Sequence, residues 1–221
     1  THITVFTVPA ACGGDCLYCP TVTGQPKSYL PHASVERFGL TYDAERQMRY
    51  WLTGPRSRHA LSSKIELIML GGSFLSHAPG FQETFLAGIY RAVTGVEDSA
   101  VGLEGLVARH AADSGPRLIG ITVEARPDQV APDDLARLFR LGVTKIELGV
   151  QSLDDRVLAF NDRGHDAAAT VRAITLVRGA GLKVGAHLLL GMPGATASWD
   201  IASARRLLED PLLCPDHLKL Y

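Results

Sequence analysis

The sequence predicts an α/β fold, a partial (β/α)6 barrel of parallel strands that is incomplete at its C-terminal end. Three observations predict it. Six short runs rich in Val, Ile and Leu recur along the chain, segments with helical spacing separate them, and a cysteine-rich loop follows the first run, at the strand end where barrels of this kind carry their sites. Six such units fall short of the eight-stranded form of about 250 residues.

The elements follow in order. Strands are expected at His2–Val8, Lys64–Leu70, Leu118–Glu124, Lys145–Val150, Lys183–Leu190 and His217–Tyr221, each a continuous or alternating apolar run. A helix is expected from Asp43 to Leu52, with Met48, Trp51 and Leu52 inward. Another begins near Pro132, since proline suits a first helical position, carries Asp133 and Asp134 in its first turn, buries Leu135, Leu138 and Phe139, and stops at Gly142. A third runs from an Asp166 cap through Val171, Ile174 and Val177 to Gly179 or Gly181. The stretch from Ala92 to Pro116 is the least regular and reads as a helix flanked by surface loops.

Composition sets the class. With 221 residues, 46% hydrophobic and 20% charged, the chain can bury one sizeable core. No stretch approaches the roughly 20 apolar residues of a membrane span, and the first residues lack the order of a signal peptide. The expectation is a cytoplasmic protein with no membrane partner. A net charge of -1 gives no bulk positive field for nucleic acid, and composition neither predicts nor excludes RNA.

Three of the four cysteines, Cys12, Cys16 and Cys19, fall in "ACGGDCLYCP". A disulfide framework would need an oxidising compartment and a pairing scheme that three clustered thiols and a distant Cys214 do not offer. A zinc site needs four ligands; His2 or His32 could supply the fourth, but no second C-x-x-C pair exists to close it. The third reading is iron and sulfur: thiolates spaced C-x3-C-x2-C can hold three irons of a 4Fe–4S cube and leave one iron open. Gly13 and Gly14 suit a tight loop that aims backbone N–H groups at sulfide, and Tyr18 could cover a cluster, a ligand or simply a loop.

Other strand ends carry polar chemistry. The second ends in "IMLGGSF", where Gly71 and Gly72 allow close backbone approach and Ser73 adds a hydroxyl, with N–H and C=O groups free at the strand end. The third ends in "ITVEARPD" and the fourth in "IELGVQS", which puts Glu124, Arg126, Glu147 and Gln151 at the ends of apolar strands, where a buried polar group needs a partner, either structural or a ligand. An internal Arg126–Glu147 ion pair is the structural alternative. "NDRGH", residues 161 to 165, offers Arg163 and His165, which alone would be an ordinary surface pair.

The C-x3-C-x2-C loop with an aromatic before its last cysteine resembles that of the radical S-adenosylmethionine (SAM) superfamily. "CLYCP", "SYLPHASVERFGLTYDAERQ", "KIELIMLGGSF", "IGITVEARPD", "KIELGVQSL", "NDRGH", "KVGAHLLLGMPG" and "DHLKLY" occur in the order and approximate spacing of the radical SAM domain of the Elongator catalytic subunit family. The resemblance implies a radical SAM barrel over residues 1–221 that is truncated, without the acetyltransferase-like domain or the basic N-terminal extension of that family. It implies a 4Fe–4S cluster on Cys12, Cys16 and Cys19, with SAM as cofactor. The backbone of Gly71, Gly72 and Ser73 would meet the SAM amino group; Ser73 stands where many members have Glu. Glu124 and Gln151 would face ribose, methionine carboxylate or substrate, and Gly191 in "LLLGMPG" would lie beside the adenine. Lys64 matches a lysine that contacts acetyl-CoA as co-substrate, and Lys219 and Tyr221 match the "KLY" of the reaction chamber. The activity implied is carboxymethylation of the tRNA wobble uridine at carbon 5. tRNA and a one-electron donor of flavodoxin or ferredoxin type would be partners, with self-association left open. The alternatives are another radical SAM reaction, since "HLLLGMPG" also suits porphyrin-oxidising relatives, and a cluster-bearing electron carrier, metal-binding scaffold or tRNA-binding protein.

Overall fold

The computed structural model describes residues 1–20, 22, 42–54 and 64–221; His32 and the 28–41 part of the stretch beginning "SYLPHAS" lie outside them. Six strands, β1 (His2–Phe6), β2 (Lys64–Leu70), β3 (Arg117–Ala125), β4 (Lys145–Gln151), β5 (Lys183–Leu188) and β6 (His217–Leu220), pair in sequence order. Every pairing is parallel, and the sheet curls into a half-barrel. The α/β partial barrel is therefore the observed fold. Strand bounds match the expected runs to within two residues. β5 is bounded at Leu188, and the two residues beyond it stay tied to the neighbouring strand ends, Leu189 N–H donating to Gln151 O at 2.9 Å and Leu190 N–H to Tyr221 O at 2.8 Å.

Parallel strands need crossovers, and helices supply them. The described helices are α1 (Ala44–Thr53), α2 (Pro79–Thr94), α3 (Leu103–Ala112), α4 (Pro132–Arg140), α5 (Asp155–Phe160), α6 (Ala167–Gly179) and α7 (Ala197–Glu209). Local chemistry fixes their ends. The Asp43 carboxylate accepts from Arg46 N at 2.7 Å, and Asp166 from Ala169 N at 2.7 Å, each satisfying a backbone donor that the first turn leaves open. Proline opens α2, and Gly95 closes it in the left-handed region at φ 69°. In the irregular stretch, α3 is the expected helix, with Leu106 as its buried anchor.

β5 is buried on both faces after its first residue, and the second half of β3 likewise, whereas β1 and β2 alternate buried residues with half-buried or exposed ones. Met48 is fully buried, while Trp51 and Leu52 pack partly buried against the core. Gln47 is the unforeseen inward residue of α1: its amide grips the β1 backbone, donating to Phe6 O and accepting from Phe6 N, both at 2.8 Å. In α4, Leu135 and Leu138 are buried as expected, but Phe139 is 58% exposed. The helix ends at Arg140, and Leu141 and Val143 fill the core beyond it. The apolar stripe thus runs 135, 138, 141, and Phe139 sits about 100° around the helix from Leu138. Among the described residues no helix is long and apolar enough to cross a membrane.

Candidate active site

The C-terminal ends of the strands surround a cavity of about 270 Å3 whose wall includes Cys12, Cys16, Cys19, Gly72, Ser73, Glu124, Gln151 and Tyr221. The loops β1, β2, β3 and β4 end in thus bring together residues up to about 140 positions apart, as the barrel topology demands. A larger hollow, about 880 Å3, opens on the outer side beside α5 and α6 and holds no cysteine.

The cysteine loop is held by its neighbours. Leu17 N–H donates to Asn161 O at 3.1 Å, Cys19 N–H to Cys16 O at 3.0 Å, and Gln129 Nε2 to Cys12 O at 3.1 Å. None of the three is in a disulfide among the described residues; Cys16 is buried, and Cys12 and Cys19 are half-buried. Two guanidiniums reach them: Arg126 Nη1 lies 4.0 Å from Cys12 Sγ, and Arg163 Nη1 lies 3.6 Å from Cys16 Sγ. Gly14 is required here, since a Cβ would fall on the Arg126 guanidinium. Tyr18 is half-buried beside these groups with its hydroxyl shielded, and that burial pushes the hydroxyl well above the usual phenol range, against the opposing pull of Arg163.

Arg126 does not pair with Glu147. Its fork grips Asp128, with Nε 3.0 Å from Oδ1 and Nη2 3.0 Å from Oδ2, and it also donates to Arg163 O at 2.8 Å. Burial opposes its charge, but the Asp128 contacts outweigh burial and hold the guanidinium more firmly protonated. The Ser73 hydroxyl is not open either. It bonds Gln129 Oε1 and accepts from Arg126 N at 3.4 Å, and its carbonyl accepts from Ser76 N at 3.0 Å. Through Gln129 the Gly-Gly bend and the cysteine loop become one unit. The bend itself needs glycine: Gly71 and Gly72 have φ 141° and 92°, and a Cβ on Gly71 would strike Thr7 Oγ1.

Gln151 occupies the left-handed region at φ 66°, a conformation uncommon for a residue with a side chain. The β4–β5 register slips between Leu148 and Gln151, and Gln151 Oε1 is buried with no hydrogen-bond partner among the described residues. An orphaned buried acceptor on a cavity wall is what a bound ligand would satisfy.

The opposite wall is different. Glu147, 1% exposed, accepts from Lys219 Nζ at 2.6 Å and His187 Nε2 at 3.0 Å on Oε2, and Lys145 Nζ stands 3.1 Å from Oε1. Burial pushes this carboxyl up, but the His187, Lys219 and Lys145 hydrogen bonds outweigh it and hold Glu147 well below the usual carboxylate range. Gly185, opposite in register, leaves the room: a Cβ there would come within 2.6 Å of Glu147 Cγ. His187 Nδ1 lies 3.9 Å from Glu124 Oε1, and its ring meets Tyr221 edge to face at 5.4 Å. Glu124, Glu147 and His187 stand close enough to hold an ion, yet the two lysines already neutralise Glu147 and make this wall a closed charge network.

Cys12, Cys16, Cys19, Gly72, Ser73, Glu124, Gln151 and Tyr221 therefore line one barrel mouth, while Gly71 precedes Gly72 in the bend and Lys219 reaches the wall through its ion pair to Glu147. Lys64 and Gly191 do not line it. Lys64 is exposed at the start of β2, about 20 Å along the strand from Gly71. Gly191 turns outside the cavity, its N–H donating to Asp200 Oδ2 at 2.8 Å. Sequence reasoning assigned no part to His187, Gln129 or the Arg163–Cys16 contact. A histidine inside the apolar run "KVGAHLLL" was the one visible signal.

The donor set fits an iron–sulfur cluster better than a single ion. A zinc ion with Zn–S near 2.3 Å would draw its sulfurs to about 3.8 Å apart. Among the described residues the three cysteine sulfurs do not gather within 4.8 Å of one another, and the buried cations beside them suit an anionic group.

Known proteins share this architecture. A family model described as the radical SAM superfamily matches residues 7–207. A tRNA uridine(34) acetyltransferase of Dehalococcoides mccartyi is 36% identical over 223 residues, spanning 100% of this chain and 48% of that protein. Elongator complex protein 3 of Schizosaccharomyces pombe is 30% identical over 226 residues, 96% of this chain and 40% of that protein. The chain spans about half the length, or less, of these curated relatives. Among solved structures, the archaeal Methanocaldococcus infernus Elp3 with an N-terminal deletion superposes with TM-score 0.79 at 26% identity, covering 100% of this chain and 45% of that one. Coproporphyrinogen III oxidase from Escherichia coli shares the fold, with TM-score 0.61 at 16% identity over 99% of this chain and 43% of that one. From the cysteine spacing, the half-barrel and the match over residues 7–207, the chain belongs to the radical SAM superfamily, and its resemblance to the Elongator catalytic type extends along its whole length.

Proposed function

We propose that this chain is the radical-generating domain of an Elongator-type enzyme that carboxymethylates the tRNA wobble uridine at carbon 5, with acetyl-CoA as co-substrate. The observation that carries the reading is the convergence of Cys12, Cys16 and Cys19, the Gly71–Gly72 bend and the unsatisfied Gln151 oxygen on one cavity at the strand ends. When bound there, a 4Fe–4S cluster and SAM supply one-electron reductive cleavage of a sulfonium to methionine and a 5'-deoxyadenosyl radical.

The chain's own residues hold and orient these groups. Cys12, Cys16 and Cys19 would be the thiolate ligands of the cluster, and the contacts of their loop to Asn161 and Gln129 hold it at the cavity. The Gly71–Ser73 backbone receives the amino group of SAM, while the Ser73 side chain keeps the bend docked through Gln129. Glu124 and Gln151 offer oxygens to ribose, methionine or substrate hydroxyls and amines. Lys219 and Tyr221 close the mouth on the Glu147 side, where Lys219 is positioned by the 2.6 Å ion pair. Acetyl-CoA, a Lys64 contact to it and the tRNA substrate rest on the family resemblance and the relatives' names.

Anaerobically reconstituted protein, reduced with dithionite, should cleave SAM to 5'-deoxyadenosine. The full-length protein with acetyl-CoA should then yield carboxymethyluridine in tRNA, read by nucleoside analysis. SAM cleavage with every wobble uridine unchanged would reject the substrate and keep the radical chemistry.

A further inference from the structure

The two arginines at the cysteine loop are not equivalent. Arg126 has the Asp128 carboxylate in its fork. Arg163 is 5% exposed and has no carboxylate within ion-pair distance among the described residues. Its contacts are the Gly149 carbonyl, 2.6 Å from Nη2, and the Cys16 sulfur, 3.6 Å from Nη1; its Nε is buried with no partner among the described residues. The fold reserves space for this cation, because a Cβ on Gly149 would stand 2.7 Å from Nη2. A buried charge without a counter-ion is costly, so the guanidinium requires an anion at the Cys16 side of the cavity.

We propose that Arg163 sets the charge balance of the cluster through Cys16, raising its reduction potential by favouring the more negative, reduced form. The inference rests on the cluster reading given above. Three thiolates around a 4Fe–4S core leave a net negative group in both oxidation states. Reduction adds one electron from an external donor such as dithionite, makes and breaks no bond, and moves no proton. The added charge is attracted to a guanidinium in a water-poor wall, and this favours the product of the step over its reactant.

The test is a redox titration followed by electron paramagnetic resonance on the reconstituted protein, wild type against Arg163→Gln, Arg163→Met and Arg163→Lys. The neutral variants should titrate at a more negative potential, and Arg163→Lys should lie between them and wild type. An unchanged potential in a neutral variant that carries the cluster overturns the proposal, and an unchanged potential together with weaker SAM binding reassigns Arg163 to the ligand. If neither neutral variant takes up iron, Arg163→Lys decides: retained iron near the wild-type potential supports the charge role, whereas loss of iron there as well shows that Arg163 supplies geometry, and overturns it. Wild-type protein that takes up no iron and sulfide defeats the functional reading itself, before any variant is compared.

Discussion

The two walls of the cavity handle charge in opposite ways. On the strand-built wall, Glu147 collects Lys145, Lys219 and His187, and every cation there meets a carboxylate of the same chain. On the loop-built wall, Arg163 faces the Cys16 thiol and a carbonyl, Gln151 keeps a buried oxygen without a partner among the described residues, and the backbone passes through left-handed bends that glycine makes accessible. The strand wall is a network of ion pairs centred on Glu147. The loop wall carries the cysteines, a buried guanidinium without a carboxylate and the unpartnered Gln151 oxygen, and the proposed ligand chemistry is assigned there for that reason.

That contrast can be broken from either side. The largest effect should come from Cys16→Ser, which removes a buried loop-wall ligand: iron and acid-labile sulfide should fall severalfold after reconstitution while the far-ultraviolet circular dichroism stays intact. Glu147→Ala should instead act on the fold. It leaves two lysines and a histidine around an empty centre, so urea unfolding should show a loss of about 3–5 kcal/mol. A loss below about 1 kcal/mol would mean that the strand wall is not the compensated network described.

A third test uses acid. Burial, with Arg163 adding to it, pushes His165 down to about 4 from 6.5, so the unfolded chain takes up this proton first. Stability from this residue is full above pH about 6.5 and drains away as pH falls toward about 4, by on the order of 1–3 kcal/mol. His165→Phe should flatten that part of the pH–stability curve; an unchanged slope would place the acid sensitivity elsewhere. The smallest effects should come from positions outside both walls. Lys64→Ala and Cys214→Ser should leave cluster content unchanged and shift unfolding by less than about 0.5 kcal/mol.

The strands were legible because a buried inward face writes β1 and β2 as alternating apolar runs and burial on both faces writes β5 as a nearly continuous one, and the cysteine loop because its spacing is dense and local. Phe139 misled because it adjoins Leu138 in sequence yet sits about 100° around α4 from it, away from the buried stripe. Glu147 was visible as a polar strand end, but its partner Lys219 lies 72 positions away, and no local pattern carries such a pairing. Arg163 looked like a surface residue for the same reason: its burial depends on Gly149 and Cys16, which the barrel brings to it. The Ser73 hydroxyl was visible in the sequence, but its partner Gln129 was not, because Gln129 comes from a different strand end.

The most direct test of the account is metal and sulfide analysis of the anaerobically reconstituted protein. About four irons and four acid-labile sulfides per chain, lost in Cys12→Ser, Cys16→Ser or Cys19→Ser and kept in Cys214→Ser, is the predicted result. One zinc per chain without acid-labile sulfide would contradict it, and with it the claim that the loop wall of this cavity is built for an iron–sulfur cluster.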